Sequence, residues 1–277
     1  EVMQDRYFNS LFVIGPEGEV VHRAAKNHVW CRERSCMPHD IYDRWVELFG
    51  DGIESFFPVL RTPDIGNIGT LCCSDGEYPE AVRALAFNGA EVVYRPSEAS
   101  PMTGVGYPGG GTWMIQNRAH AEFNSLYMLC PNTGPVYLGA ASKHPVDIAG
   151  GNSHIVDYRG QVVSYSASTT NTSVAATIDI EALRQFRAMS LNNNWLKDLR
   201  VELFRRMYEQ PIHPKNLWLK SLWSKNRLLK NIRRLQERGS GTKPAFEHPG
   251  CRYQPAGDDG TTWEDMKQRL WGPWLET

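Results

Sequence analysis

The chain has 277 residues, 41% of them hydrophobic and 22% charged, which is enough apolar material for a core and too balanced a composition for a disordered chain. A formal charge of −1 gives no overall attraction to nucleic acid or an anionic membrane, and no run of 18 apolar residues offers a transmembrane helix. Six cysteines (Cys31, Cys36, Cys72, Cys73, Cys130 and Cys251) are too few for a disulfide scaffold, and their usage points to a reducing, cytoplasmic setting.

Two apolar runs around Pro16-Glu17-Gly18 in residues 11–22 predict a β-hairpin. Ile65–Cys73 reads as a buried strand, followed by an Asp75-Gly76 turn. Pro79 suits the first turn of a helix over 80–88, with Ala81, Val82, Leu85 and Ala86 on one face and Gly89 as its stop. Glu91–Arg95 is the next strand, 112–125 a second helix and Leu126–Cys130 a third strand. Strand–helix–strand–helix–strand order predicts an α/β unit with parallel connections. Residues 154–165 predict a second hairpin, turning at Arg159-Gly160.

Past residue 182 the character changes. Residues 184–238 hold 14 Lys/Arg against 4 Asp/Glu, with Trp218, Leu222, Leu229, Ile232 and Leu235 at roughly helical spacing. This predicts a basic amphipathic helical extension. Residues 239–260, with five glycines and three prolines, read as a wrapping arm, and 262–274 has room for one short helix. The domain organisation read from these shifts is 1–190 and an extension, 191–277. Such a charge could serve nucleic acid or a membrane. In a chain that is neutral overall, the simpler expectation is apolar packing on a neighbouring domain or subunit, with no nucleic-acid or membrane partner.

The chemistry concentrates in residues 68–97, IGTLCCSDGEYPEAVRALAFNGAEVVYRPS. Cys73 ends a buried strand just before a turn into a helix. Such an elbow holds a side chain clear of the sheet and leaves backbone N–H groups for a developing oxyanion. A thiol near an ammonium group is a good nucleophile, and a buried structural cysteine fits the same place.

This segment resembles the nucleophile motif of the nitrilase superfamily, the carbon–nitrogen hydrolases: Cys73, Ser74-Asp75, Pro79-Glu80, then Gly89-Ala90-Glu91 before an apolar strand. The wording CSDGEYPE is similar to the aliphatic amidase and formamidase branch. Tyr7–Ser10 and FVIGPEGEVVHRAAK resemble the family hairpin that ends in its catalytic lysine, here Lys26. Residues 116–132 resemble the family's arginine-containing helix and the strand into Asn132, and 150–163 its late hairpin, so the likeness spans residues 7–182. It implies a four-layer α-β-β-α sandwich and hydrolysis of a small amide through a thioester. Cys73 would be the nucleophile, with Lys26 and the Ser74 backbone N–H holding the oxyanion, and no cofactor or metal. It also implies a homo-oligomer, for which the 190–277 segment is the candidate element. N-carbamoyl compounds and nitriles are alternative substrates, and an inactive scaffold is the alternative outside enzymes.

The family's third catalytic group, a glutamate base, comes from a strand–helix unit ahead of the lysine hairpin. Only 25 residues precede Lys26 here, so the sequence is expected to be N-terminally incomplete. Glu33 is the candidate for a second carboxylate that orders the site. Trp30, His39, Asp40, Glu77, Tyr107 and Trp113 are candidate pocket residues, Tyr107 through the glycine-rich 98–111 loop. His28, Cys31, Cys36 and His39 have zinc-like spacing, although the resemblance implies no metal.

Overall fold

The computed structural model describes residues 2–4, 6–30, 33, 35–99, 111–137, 139, 141–145, 147–148, 150–192, 194–209 and 215–219. The chain divides into two units, residues 1–199 and 200–277.

The first unit opens with β1 (Ser10–Ile14) and β2 (Val20–Ala25), paired antiparallel from Ser10 opposite Ala25 to Ile14 opposite Val20. Gly18 turns the hairpin at φ +87, where a side chain would be strained. A 3-10 turn at Pro38–Ile41 leads into α1 (Tyr42–Phe49) and α2 (Ile53–Phe56), two helices not foreseen from the sequence. After β3 (Val59–Leu60), a strand the sequence reading did not include, the predicted alternation follows: β4 (Ile68–Thr70), α3 (Pro79–Phe87), β5 (Val92–Tyr94), α4 (Gly111–Asn124) and β6 (Tyr127–Cys130). A small pair, β7 (Pro135–Val136) and β8 (Asp147–Ile148), precedes the hairpin β9 (Ser153–Val156) and β10 (Val162–Ser166), and α5 (Ile180–Met189) closes the unit.

One six-stranded sheet runs β10-β9-β6-β5-β4-β3. Its centre, β4-β5-β6, is parallel as expected for strands joined by helices, and its flanks are antiparallel. Gly69, Val93, Met128 and Val156 lie side by side across the strands and so share one face. Val93, Met128 and Val156 join Ala81, Val82, Leu85 and Ala86 of α3 and Trp113 and Ala121 of α4 in the main core. A Cβ at position 69 would sit 3.0 Å from the Leu85 side chain, so the glycine lets α3 approach closely. Gly89, at φ +86, ends that helix as its position predicts.

The opposite face has two covers. At one end, Val92 and Tyr127 pack with Leu183 of α5. Arg184 there makes two bonds to the buried Glu91 carboxyl, Nε–Oε1 2.7 Å and Nη2–Oε2 3.1 Å, and Arg187 donates to the carbonyls of Ser125 and Ala90. At the other end lies the β1–β2 hairpin, where His22 meets Thr70 of β4 through Nε2 and Oγ1, 3.3 Å apart. The order is thus helix layer, main sheet, then hairpin.

The strand expected over 65–73 is shorter, only Ile68–Thr70. Before it, the Asn67 N–H is taken by the Glu91 carboxyl at 2.8 Å, and after it Cys73 turns out of the ladder at φ +51. In the second unit, α6 (Val201–Arg205) runs into a 3-10 turn at Arg206–Tyr208. Leu222, Leu229, Ile232, Leu235 and the 262–274 helix lie outside the described residues. Among the described residues no helix is long and apolar enough to cross a membrane.

Leu85 is fully buried where α3 meets the sheet. Leu85→Ala is expected to destabilise the fold by about 2–5 kcal/mol in urea unfolding, since the neighbouring backbone can collapse only partly into the space left.

Candidate active site

Cys73 is the third residue after β4 and starts a 3-10 turn, Cys73–Glu77. Its φ of +51 is a left-handed conformation that costs a non-glycine residue on the order of 1 kcal/mol or more and persists only where the surroundings impose it. Two contacts impose it here. The Cys73 N–H donates to the Pro96 carbonyl at 2.9 Å, and the Cys73 carbonyl accepts from Arg95 through Nε at 3.1 Å and Nη2 at 3.0 Å. In the same turn, Ser74 is buried and its hydroxyl is committed to the His28 carbonyl. Its backbone N–H is therefore the part of Ser74 suited to an oxyanion.

Lys26 stands at the end of the hairpin, one residue past β2, with its N–H donating to the Asn9 carbonyl at 2.8 Å. It is 3% exposed, which is rare for a lysine and requires a partner. Glu33 is that partner, reached by the Lys26 ammonium. Asn9 Nδ2 donates to Glu33 Oε1 at 2.9 Å, and the Trp30 N–H to Oε2 at 2.7 Å. Burial favours the neutral form of Glu33, but the bonds from Lys26, Asn9 and Trp30 outweigh it and hold the carboxyl below its ordinary range.

Asp75 links the two halves. Its Oδ1 accepts from the N–H groups of Asn27 at 3.0 Å and His28 at 2.7 Å, and its Oδ2 from the Cys72 N–H at 3.1 Å. The loop that follows the lysine is thereby fastened to the elbow that carries the cysteine. His28 also stacks on Tyr78, ring centres 3.9 Å apart.

The two adjacent cysteines differ in their surroundings. Cys72 lies beside Asn9, Sγ to Oδ1 3.9 Å, and burial pushes its thiol up to about 11 even though Lys26 acts in the opposite sense. It is protonated at neutral pH, a poor nucleophile. Cys130 is buried and is pushed to about 12.

The other candidates scatter. Asp40 is buried, and its Oδ2 accepts the Met37 N–H at 3.1 Å, bracing the Pro38–Ile41 turn. His39 packs edge-on to Tyr42. Trp30 and Glu77 are exposed beside the site. Trp113 is 2% exposed in the main core, its Nε1 donating to the Asn152 carbonyl and the Arg95 guanidinium 4.8 Å from its ring centre. Tyr107 lies outside the described residues, as does Cys31 of the zinc-like set. Among the described residues no group of three His, Cys, Asp or Glu could hold a metal. Arg95 and Asn117 carried no role in the sequence reading, Asn9 entered only within the 7–10 motif, and Asp75 only as a turn residue and part of the motif after Cys73. Arg95 had one signal, a cation closing an apolar strand.

A model of the carbon–nitrogen hydrolase family matches residues 1–188. An (R)-stereoselective amidase from Pseudomonas sp. is 30% identical over 211 residues, which cover 76% of this chain and 65% of that one. A deaminated glutathione amidase from Synechocystis sp. is 23% identical over 180 residues, 65% of this chain and 60% of that one. The chain thus spans less than two thirds of the length of these relatives. Two solved structures are similar. The carbon–nitrogen hydrolase of Helicobacter pylori G27 has a TM-score of 0.52, 22% identity, and cover of 75% of this chain and 68% of that one. The C. elegans NitFhit protein has a TM-score of 0.54, 21% identity, and cover of 72% and 43%. At these identities the likeness shows the fold, the α/β sandwich that the sequence motifs imply.

Because the folded Glu33 carboxyl sits below its ordinary range, its pairing stabilises the protein above about pH 4.3 and is lost as pH falls through the lowered value. The urea midpoint of the parent is expected to exceed that of Glu33→Gln at pH 7, with the gap closing below about pH 4. A gap unchanged from pH 7 to pH 3 would show that the charge of Glu33 is not what the site holds.

Proposed function

We propose, since the chain belongs to the carbon–nitrogen hydrolase family, that it takes part in hydrolysing a small amide through a thioester on Cys73. The Cys73 thiolate attacks the amide carbonyl carbon, and the negative charge that develops on its oxygen is held by the Lys26 ammonium and the Ser74 backbone N–H. Collapse of that intermediate, with the proton given up by the thiol passing to the nitrogen, expels ammonia or an amine. Water then attacks the thioester, freeing the acid and regenerating the thiol. The reading assigns Glu33 as the counter-ion that fixes Lys26 in place, and it assigns no residue of this chain to the general base.

The observation that carries this reading is the Asp75 carboxyl, which ties the segment after Lys26 to the turn bearing Cys73. Chemistry of this kind needs a cation and a nucleophile fixed on two different elements and aimed at one carbonyl group. The names of similar proteins support amides as the substrate class, namely an (R)-stereoselective amidase and a deaminated glutathione amidase.

Ammonia release measured on a panel of short aliphatic amides, N-carbamoyl amino acids and nitriles tests the proposal. An amide is expected to be the best substrate. Cys73→Ala and Lys26→Met are each expected to lose about a thousandfold or more in kcat, and Cys72→Ala to keep at least about a third of it. Silence on every amide, or full activity in Cys73→Ala, would refute it.

A further inference from the structure

Arg95 is 2% exposed and among the largest fully buried side chains of the protein. Burying a guanidinium is costly, and where it occurs a carboxylate ordinarily compensates it. Here its hydrogen-bond partners among the described residues are neutral. They are the Cys73 carbonyl twice, Asn117 Oδ1 at 2.6 Å and Gln116 Oε1 at 3.2 Å, with the Trp113 ring beneath. Space has been made for it: a Cβ on Gly76 would fall 2.1 Å from Arg95 Nε.

A second set of residues fixes the first. Asn117 Nδ2 meets His154 Nε2 at 3.0 Å, and His154 Nδ1 meets the Asn152 carbonyl at 2.7 Å. A neutral imidazole satisfies both only if Nδ1–H donates to Asn152 and Nε2 accepts from Asn117. That tautomer leaves the Asn117 carbonyl oxygen for Arg95. Burial lowers His154 to about 4, in keeping with a neutral ring. His120, likewise lowered to about 4, has Nε2 2.8 Å from the Gly76 carbonyl in the same turn.

We propose that Arg95 is the positioning residue of the nucleophile: its guanidinium, gripping the Cys73 carbonyl while Pro96 takes the Cys73 N–H, holds the elbow in its strained conformation and sets a buried positive charge at the turn that carries the thiol. The proposal rests on the reading of Cys73 as the nucleophile and adds a cation to that reading besides Lys26. Both polar ends of the Cys73 backbone are gripped by one dipeptide, so a shift of β5 would move the sulfur. Arginine suits this role because its planar fork delivers two N–H groups to one carbonyl and stays charged when buried.

The titratable groups around the elbow are Asp75 and Glu77 on its own turn, Cys72 at the end of β4, Lys26, His28 and Glu33 on the hairpin loop, His120 on α4 and Cys130 on β6. Their contribution is common to the parent and to Arg95 variants, so the difference between pH profiles isolates Arg95. The test is the rate of Cys73 alkylation by iodoacetamide against pH, read by peptide mass spectrometry on the full chain, beside kcat and KM on the best amide. Arg95→Met is expected to raise the half-maximal pH of alkylation by about one unit and lower kcat at least about tenfold, with KM within about threefold. Arg95→Lys keeps the charge and loses the fork, so its alkylation profile is expected near the parent's while kcat still falls. A folded Arg95→Met protein with the parent's alkylation profile would overturn the proposal. If the Met variant does not fold, Arg95→Lys decides, and a kcat equal to the parent's overturns it. The alkylation arm needs no substrate, so a protein inactive on every amide whose profile still moves would refute the proposed function alone.

Discussion

The Asp75 carboxyl accepts three backbone N–H groups, from Asn27, His28 and Cys72, and these come from two segments far apart in the sequence. Everything at the site depends on that junction. Lys26 follows a separate two-stranded hairpin and Cys73 follows β4 of the main sheet, so neither element alone would fix their relation. An anionic acceptor buried among N–H donors makes strong, directional bonds, and it has no substitute partner there if one donor moves away. The same residue is the third in the Cys73–Glu77 turn, so the group that fastens the hairpin also shapes the elbow.

Beneath the elbow the core is polar by design. Helix α4 buries Asn117, His120 and Asn124 together with Trp113, Met114 and Ala121. A wholly apolar face there would pack as tightly, but it could not meet the Gly76 carbonyl or brace the Arg95 that holds the Cys73 carbonyl. A buried polar network stabilises only when its members are satisfied, and the chain Arg95–Asn117–His154–Asn152 runs from one hydrogen bond to the next. The strain of a left-handed cysteine is offset by this layer.

The framework was legible because it is written in local chemistry. The hairpin turns at Gly18 and Gly160, the helix bounded by Pro79 and Gly89, and the apolar strands at 92–94 and 127–130 all stand close to where their residues point. Cys73 and Lys26 were visible through several motifs in the right order. The supports of the site were not. Asp75 next to Gly76 reads as turn chemistry, because its acceptor role is satisfied by residues far away in sequence. Arg95 ends an apolar strand, where a buried and an exposed guanidinium look alike. Asn117 and His120 blur the apolar period of α4, so the stretch read as an ordinary helix. Helix α1 escaped notice because, of its eight residues, Trp45 alone is buried.

In the proposed reaction the thiol of Cys73, and not that of its neighbour Cys72, takes the acyl group. Burial holds Cys72 protonated to about pH 11, whereas Cys73 is presented on a strained turn whose carbonyl Arg95 grips. The direct measurement is an acid quench during turnover of an amide, followed by digestion and mass spectrometry of the peptide that contains both cysteines. A thioester carrying the substrate's acyl mass is expected on Cys73 and is expected to be absent from Cys73→Ala. An acyl group on Cys72 would contradict it, as would steady turnover in Cys73→Ala.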